Sequence, residues 1–348
     1  MDSIKMIKDL TNAFGPPGFE EDVVAAAQDY IPAGYTGERD SLMNFFMYKD
    51  TYKESSPTIL IDAHSDEIGL MVQAIRPNGT IVIHNLGGWV PMALIAQKVQ
   101  IKNLAGELIT GVIAARAPHF GGMEEAPSLG SLILDVGASS KEEVENDFKI
   151  APGCPIVPKA EFEMRGDTMI AKAFDDRIGC AVVLGALDAL KETDLCVVGA
   201  LSSQEEVGLR GARVVANRVK PDFAICIEGA PADDTFAEGH MIQTRMGKGP
   251  MLRHIDGGMI TNPRCVRFAR EVAAKEGIVI QEAVRTLGGT NGGAIHMSGL
   301  GVPTLVVSCP VRYAHSHHSI ASFSDYEACV KLTAALVRAA SAEVVKGF

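Results

Sequence analysis

At four places the chain carries a short apolar run: Ile59 to Ile61 within TILIDAHSDEIG, then LCVVGAL (195–201), PDFAICI (221–227) and VPTLVVS (302–308). A strand with one wet face alternates apolar and polar residues, so near-continuous runs predict strands covered on both faces. Between them the spacing is helical. Residues 3 to 14 predict a helix stopped by GPPG, and FEEDVVAAAQDYI predicts a second with acidic residues in its first turn. RIGCAVVLGALDAL predicts a third, and a long alanine-rich helix follows Ser324-x-x-Glu327, read as a capping box. Buried strands alternating with helices predict an α/β domain around a mostly parallel sheet.

The pattern changes between residues 68 and 162, where apolar runs are joined by tight turns instead of helices. LMVQAIRPNGTIVIHNL turns at Pro77-Asn78-Gly79, and KVQIKNLAGELITGVIA turns at Asn103 to Gly106. A small β-rich, barrel-like domain at 68–162, inserted into an α/β domain made of 1–67 and 163–348, accounts for the switch. The Gly/Pro-rich RAPHFGGMEEAPSLG (116–130) is expected among its surface loops.

With 348 residues, the chain is long enough for two cores, in keeping with this division. A net charge of −11 leaves no basic surplus to release counterions from nucleic acid, so small molecules or peptides are the expected partners. No apolar run reaches a membrane-spanning length, and MDSIKMIKDL lacks the apolar stretch of a signal peptide, which predicts a cytoplasmic protein. The 7 cysteines are scattered singly, as reduced core thiols would be.

Candidate chemistry gathers where the strands end. His64 follows the first run, Glu205 and Glu206 follow the second, Glu228 closes the third, and His315 comes shortly after the fourth. Ligands of open α/β sheets bind at the carboxyl ends of strands, so these segments can converge, with Asp175 and Asp176 at another loop edge. Two histidines with several carboxylates and no thiolate suit zinc, cobalt or manganese, and one carboxylate can bridge two cations about 3.5–4 Å apart. Each residue also has a plainer reading. Asp66 can cap a loop, Glu205 and Glu206 can be a solvated helix start, and Asp175 and Asp176 can cap the next helix while Arg177 neutralises one of them. Glu228 resists such a reading, because an unpaired carboxylate closing an apolar strand is costly.

Taken together, GPPGFEEDV, DAHSDEIGLMV, AKAFDDRIGCAV, SSQEEVGLRGA, CIEGAPADD, GGTNGGAIH and PVRYAHS resemble the cobalt- and zinc-dependent family that includes glutamyl, deblocking and tetrahedral aminopeptidases, with relatives sometimes labelled endoglucanase. The resemblance spans nearly the whole chain. It implies a dinuclear aminopeptidase in which His64 and Glu228 hold one metal, Glu206 and His315 the other, and Asp175 bridges them. It further implies Glu205 as general base toward the water that attacks the first peptide bond, and Asp66 as the acceptor of the second ring proton of His64. Subunits would pair through the inserted β domain, as dimers or a hollow tetrahedral dodecamer. Three positions depart from the family: Glu228 and Asn291 stand where aspartate is usual, and His317 where proline is. Asn291 would remove a charge near the substrate pocket. Within HSHHS the resemblance singles out His315 as ligand and leaves His317 and His318 as loop residues, with His317 in reach of the pocket rim. The rivals are a metal-independent glycosidase and an inactive metal-binding homologue.

Overall fold

The four apolar runs form the centre of one large sheet. The computed structural model of the protein describes residues 1–50, 57–116, 119, 127–193 and 195–348, so most of the loop expected at 116–130 lies outside the described residues. In chain order the strands are β1 (Tyr35–Arg39), β2 (Phe45–Lys49), β3 (Thr58–His64), β4 (Gly69–Ile75), β5 (Ile81–Leu86), β6 (Lys98–Lys102), β7 (Leu108–Ala114), β8 (Ile133–Asp135), β9 (Pro155–Pro158), β10 (Glu163–Arg165), β11 (Thr168–Ala171), β12 (Cys196–Ser202), β13 (Phe223–Pro231), β14 (Met251–Ile255), β15 (Gln281–Val284), β16 (Thr304–Arg312) and β17 (Ser319–Ser322). The helices are α1 (Ser3–Asn12), α2 (Glu21–Gln28), α3 (Pro91–Leu94), α4 (Lys141–Asn146), α5 (Phe174–Ala189), α6 (Arg210–Val219), α7 (Pro263–Glu276), α8 (Gly292–Ile295), α9 (Phe323–Ala339) and α10 (Ala342–Lys346).

The sheet runs β1-β2-β12-β3-β13-β16-β17-β11-β10, with β14 and β15 branching from β16, and its central pairs β12–β3, β3–β13 and β13–β16 are parallel. Helices cover both faces. Ile59 and Ile61 of β3 join a core with α1, α5, α7 and α9, while Leu60 faces a second core with α6 and α8. Neither face of β3 meets water, which is why its apolar run does not alternate. Each Leu or Ile so buried contributes about 1.5–3 kcal/mol.

Between β3 and β10 the chain forms a closed antiparallel barrel, β4-β5-β8-β7-β6-β9, around Leu70, Ile81, Val99, Ile101, Ile113, Leu134 and Ile156. Both hairpin turns fall where expected. Gly79 and Gly106 close them at φ 83° and 81°, a region open to glycine at no steric cost. The Asn103 side chain accepts from the Ala105 and Glu107 amides, each at 2.9 Å.

Three local expectations are corrected. The first helix ends at Asn12, and the strand containing Glu228 continues to Pro231 instead of closing at the glutamate. The C-terminal helix is capped by Ser322, whose hydroxyl accepts from the Asp325 amide at 3.3 Å, and not by Ser324 with Glu327. Ser324 is occupied elsewhere, with its amide and hydroxyl both bound to the Asp167 carboxylate.

Candidate metal centre

Parallel pairing decides which residues meet. Ser202 stands opposite His64 in the β12–β3 register, so the chain leaving β12 brings Glu205 and Glu206 to the sheet edge where β3 ends. β13 lies on the other side of β3 and carries Glu228, and β16 beyond it ends three residues before His315. Asp175 and Asp176, with φ/ψ of −86°/101° and −126°/39°, depart from helical geometry at the head of α5. The peptide bond between them is cis.

All five expected ligands come together. His64 Nε2 lies 3.1 Å from Asp175 Oδ1 and 3.9 Å from Glu228 Oε1. His315 Nε2 lies 3.4 Å from Asp175 Oδ2 and 3.2 Å from Glu206 Oε1. Atoms bound tetrahedrally to one cation at about 2.0–2.2 Å stand about 3.3–3.6 Å apart, close to most of these separations. Glu206 Oε1 and Glu228 Oε2 are buried and have no hydrogen-bond donor of good geometry, as expected of oxygens reserved for another partner. The residues therefore fit divalent cations. Among the described residues, ligand atoms of His64, Asp175 and Glu206, and of His64, Asp176 and Glu228, fall within 4.8 Å of one another. Asp176 already accepts from the backbone, with Oδ1 3.0 Å from the Gly179 amide and Oδ2 3.3 Å from the His64 amide. The helix-capping alternative thus holds for Asp176.

The electrostatics follow from crowding acids in a buried place. Burial, with Asp175 next among the carboxylates, pushes the Glu228 carboxyl well above the usual range, and burial with Glu228 and Asp175 does the same to Asp176. Glu205 is pushed up to about 8, by burial first and then by Glu206 and Asp66 against the pull of His64. Burial opposes a charge on His315, yet Asp175 and Glu206 raise it to about 11. Burial likewise opposes a charge on His64, and Asp175 and Asp66 carry it well above its ordinary value. Protons on the two imidazoles thus stand where cations would neutralise the acids, and an imidazole must give up that proton to ligate.

The surrounding residues refine several readings. His64 Nδ1 is 3.1 Å from the Asp66 carbonyl and 3.5 Å from its carboxylate Oδ1. That carboxylate accepts from the Glu205 and Glu206 amides at 2.9 and 3.1 Å, so Asp66 also fixes the loop that presents both glutamates. Arg177 does not neutralise Asp175 or Asp176. It donates to the carbonyls of Ser65, Leu10 and Gly15 and to Glu67, tying the GPPG segment to the residues after β3. Asn291 is 2% exposed and its amide donates to Asp62 at 2.8 Å, placing it among the core residues instead of in the substrate cleft. His317 is also buried, 5.5 Å from the Trp89 ring, and does not reach the rim, whereas His318 is exposed.

A cleft of about 600 Å³ opens over this centre, lined by Glu205, Glu206, Glu228, Arg253, Leu287 and His315 among others. Sequence reasoning passed over Arg253, although an arginine inside the strand segment MLRHI was a visible signal. It also passed over the carbonyl of Gly88, which accepts from His315 Nδ1 at 2.9 Å, because a backbone acceptor leaves no mark on residue type.

The class this fold and site define is an α/β protein with a candidate divalent-metal centre at the ends of its parallel strands, and comparison with known proteins identifies the family. Residues 44–332 match the model described as M42 glutamyl aminopeptidase. The chain is 33% identical to the glutamyl aminopeptidase of Lactococcus lactis subsp. cremoris (strain MG1363), covering 99% of this chain and 98% of that protein. It is 35% identical to the lysyl aminopeptidase of Pyrococcus furiosus, over 82% of this chain and 83% of that one. The TET aminopeptidase structure from Thaumarchaeota archaeon SCGC AB-539-E09 superposes with a TM-score of 0.93 at 34% identity, covering 100% of this chain and 99% of that chain. The Pyrococcus horikoshii TET1 peptidase, described as able to assemble into a tetrahedron or a large octahedral shell, superposes with a TM-score of 0.86 at 30% identity, over 97% of this chain and 99% of that chain. The chain belongs to the M42 glutamyl aminopeptidase family, which makes it an aminopeptidase by class and implies divalent metal ions. No helix among the described residues is long and apolar enough to cross a membrane.

Proposed function

We propose that the protein removes N-terminal residues from peptides at a two-cation centre, with His64 and Glu228 on one cation, Glu206 and His315 on the other, and Asp175 shared. The observation that supports this best is Asp175 itself, which turns one oxygen to each histidine, at 3.1 and 3.4 Å. Zinc, cobalt and manganese all accept this donor set. Two such cations, when bound, supply a water that ionises near neutral pH and polarise the scissile carbonyl.

The chain's own groups do the rest. Glu205 lines the cleft and is the carboxylate there that this reading assigns to neither cation, so it takes the proton of the attacking water and returns it to the leaving amine. A free substrate N-terminus held near the cations or their carboxylates would confine cleavage to the first bond. Arg253 adds a preference for an acidic first residue. It lines the cleft, its guanidinium pairs with Asp256 at 3.1 Å, and its Nε is buried without a hydrogen-bond partner. We take residues 68–162 as the unit through which subunits pair, and the 7 buried cysteines, scattered singly along the chain, as suited to a reducing compartment such as the cytoplasm.

Replacing Glu205 with Gln keeps shape and removes the base. Turnover of an aminoacyl reporter should fall about 10²- to 10⁴-fold while cation content stays the same; unchanged turnover would take the role from Glu205. The metal-independent glycosidase leaves both histidines without a purpose, and polysaccharide hydrolysis surviving full removal of cations would reinstate it. The inactive homologue rested on Asn291, which lies off the cleft.

A further inference from the structure

The ligand His315 receives its orientation from outside the α/β fold. Its backbone sits at φ 59°, a left-handed conformation that costs a residue with a side chain. The acceptor is the Gly88 carbonyl, 2.9 Å from Nδ1, on the segment that follows barrel strand β5. That segment fits too closely for side chains. A Cβ on Gly87 would lie 3.2 Å from Glu206 Cβ, and one on Gly88 3.2 Å from His315 Nδ1. Trp89 then anchors the segment at two points: its indole donates to the Gly69 carbonyl at the start of β4 at 2.9 Å, and its ring packs 5.5 Å from His317. His317 is 3% exposed, and among the described residues neither ring nitrogen makes a hydrogen bond of good geometry, so the ring serves as a wedge packed by Trp89 and the Lys98 backbone of β6.

We infer that the Gly87-Gly88-Trp89 segment, clamped by His317, is a positioning device of the inserted barrel for the His315–Glu206 half of the centre. Barrel docking is thereby a condition for tight binding at one cation site and not at the other. His64 and Glu228 take their support from β3, β13 and Asp66, none of which belongs to the barrel. This rests on the two-cation reading above, and the partner carbonyl of a ligating histidine is the kind of contact whose loss weakens metal binding about 10- to 100-fold.

The test is a titration of the cation-free, full-length protein with zinc alone, followed by calorimetry, on Trp89→Ala, Trp89→Phe, His317→Ala, His317→Phe and Gly88→Ala, with His315→Ala marking which step belongs to His315. Two binding steps are expected for the unaltered chain. Trp89→Ala, His317→Ala and Gly88→Ala should weaken the step that His315→Ala abolishes by about 10- to 100-fold and leave the other step in place. His317→Phe, which refills the wedge, should restore it, and Trp89→Phe should fall between, since it keeps the ring and loses the indole donor. Thermal midpoints within a few degrees of the unaltered chain identify folded variants. Equal weakening of both steps, or of neither, in folded variants overturns the positioning role while the two-cation centre stands. Fewer than two steps in the unaltered chain overturns both.

Discussion

His315 and His318 stand three residues apart in one loop, and their surroundings separate them completely. The first has carboxylate oxygens of Asp175 and Glu206 at 3.4 and 3.2 Å, whereas the second is exposed and makes no ion pair among the described residues. His315→Ala should therefore remove one cation per chain and most activity together, while His318→Ala should change activity by less than about twofold, as surface substitutions do; metal analysis beside a reporter assay reads both, and loss of a cation from the His318 variant would contradict the assignment. The acidic preference proposed above turns on Arg253. A hydrogen bond to a charged group contributes about 1.5–3 kcal/mol, so Arg253→Met should lower kcat/KM for a glutamyl reporter about 10- to 100-fold relative to an alanyl reporter. If lysyl and alanyl reporters are the best substrates of the unaltered chain, that role is wrong. The gathering of His, Asp and Glu was legible because four of the segments follow buried strands, while the role proposed for each residue came from the family resemblance and not from spacing. Asn291 and His317 were misplaced because a sequence shows that a residue differs from its relatives and not which way it faces.

At the level of elements, the loop that carries Glu205 and Glu206 is held from two sides. Asp66 accepts the two glutamate amides, and Glu20, at the head of α2, accepts from the amides of Gly18 and Gln204 at 2.8 and 3.0 Å. Glu20 is fully buried, and burial, then Asp66, pushes its carboxyl up to about 7 from 4.5. A raised carboxyl means the folded state holds the proton more tightly than the unfolded one, so this contribution to stability is complete below about pH 4.5 and lost as pH rises through 7. Glu20→Gln keeps an acceptor and never ionises. Its stability relative to the unaltered chain should improve by on the order of 1–3 kcal/mol between pH 4.5 and 8. Urea midpoints at the two pH values measure this, and a difference that does not move with pH would mean Glu20 titrates normally. The central strands were readable because burial on both faces imposes continuous apolar runs. The cap of α9 was misread because Ser322 and Ser324 offer the same chemistry, and only the position of Asp167, 155 residues from Ser322, decides between them. The Lys172–Glu67–Arg177 cluster was likewise invisible, since Lys172 and Arg177 meet Glu67, 105 and 110 residues earlier, only after folding.

Assembly is the property of the whole molecule on which the site depends least. Every proposed ligand and the proposed base come from one chain, and the Gly88 carbonyl that orients His315 comes from that chain's own barrel. Hydrolysis of a small reporter is therefore expected to proceed without a partner. The barrel, however, keeps apolar side chains in water: Val90 is 60% exposed, Met92 59%, Leu104 74%, Leu108 45% and Val112 40%. Leu108 and Val112 project from the same face of β7, since residues four apart on a strand share a side. A subunit contact that buried this face would satisfy them, and the solved TET1 relative shows that chains of this fold can close into shells. Light scattering should accordingly give a mass that is an even multiple of the chain. Leu108→Glu with Val112→Glu, two charges facing their own copies across a symmetric contact, should shift that mass toward the monomer. The same variant should keep reporter turnover within about twofold, because neither residue lines the cleft or belongs to the Gly87-Gly88-Trp89 segment. What it should lose is discrimination among long substrates, since a site inside a closed shell admits only chains that can thread in, whereas an open monomer is accessible to the N-terminus of a folded protein. An unchanged mass for the double variant would move the subunit contact off this face of the barrel, and a lost reporter activity at monomer mass would show that the site borrows from a neighbour after all.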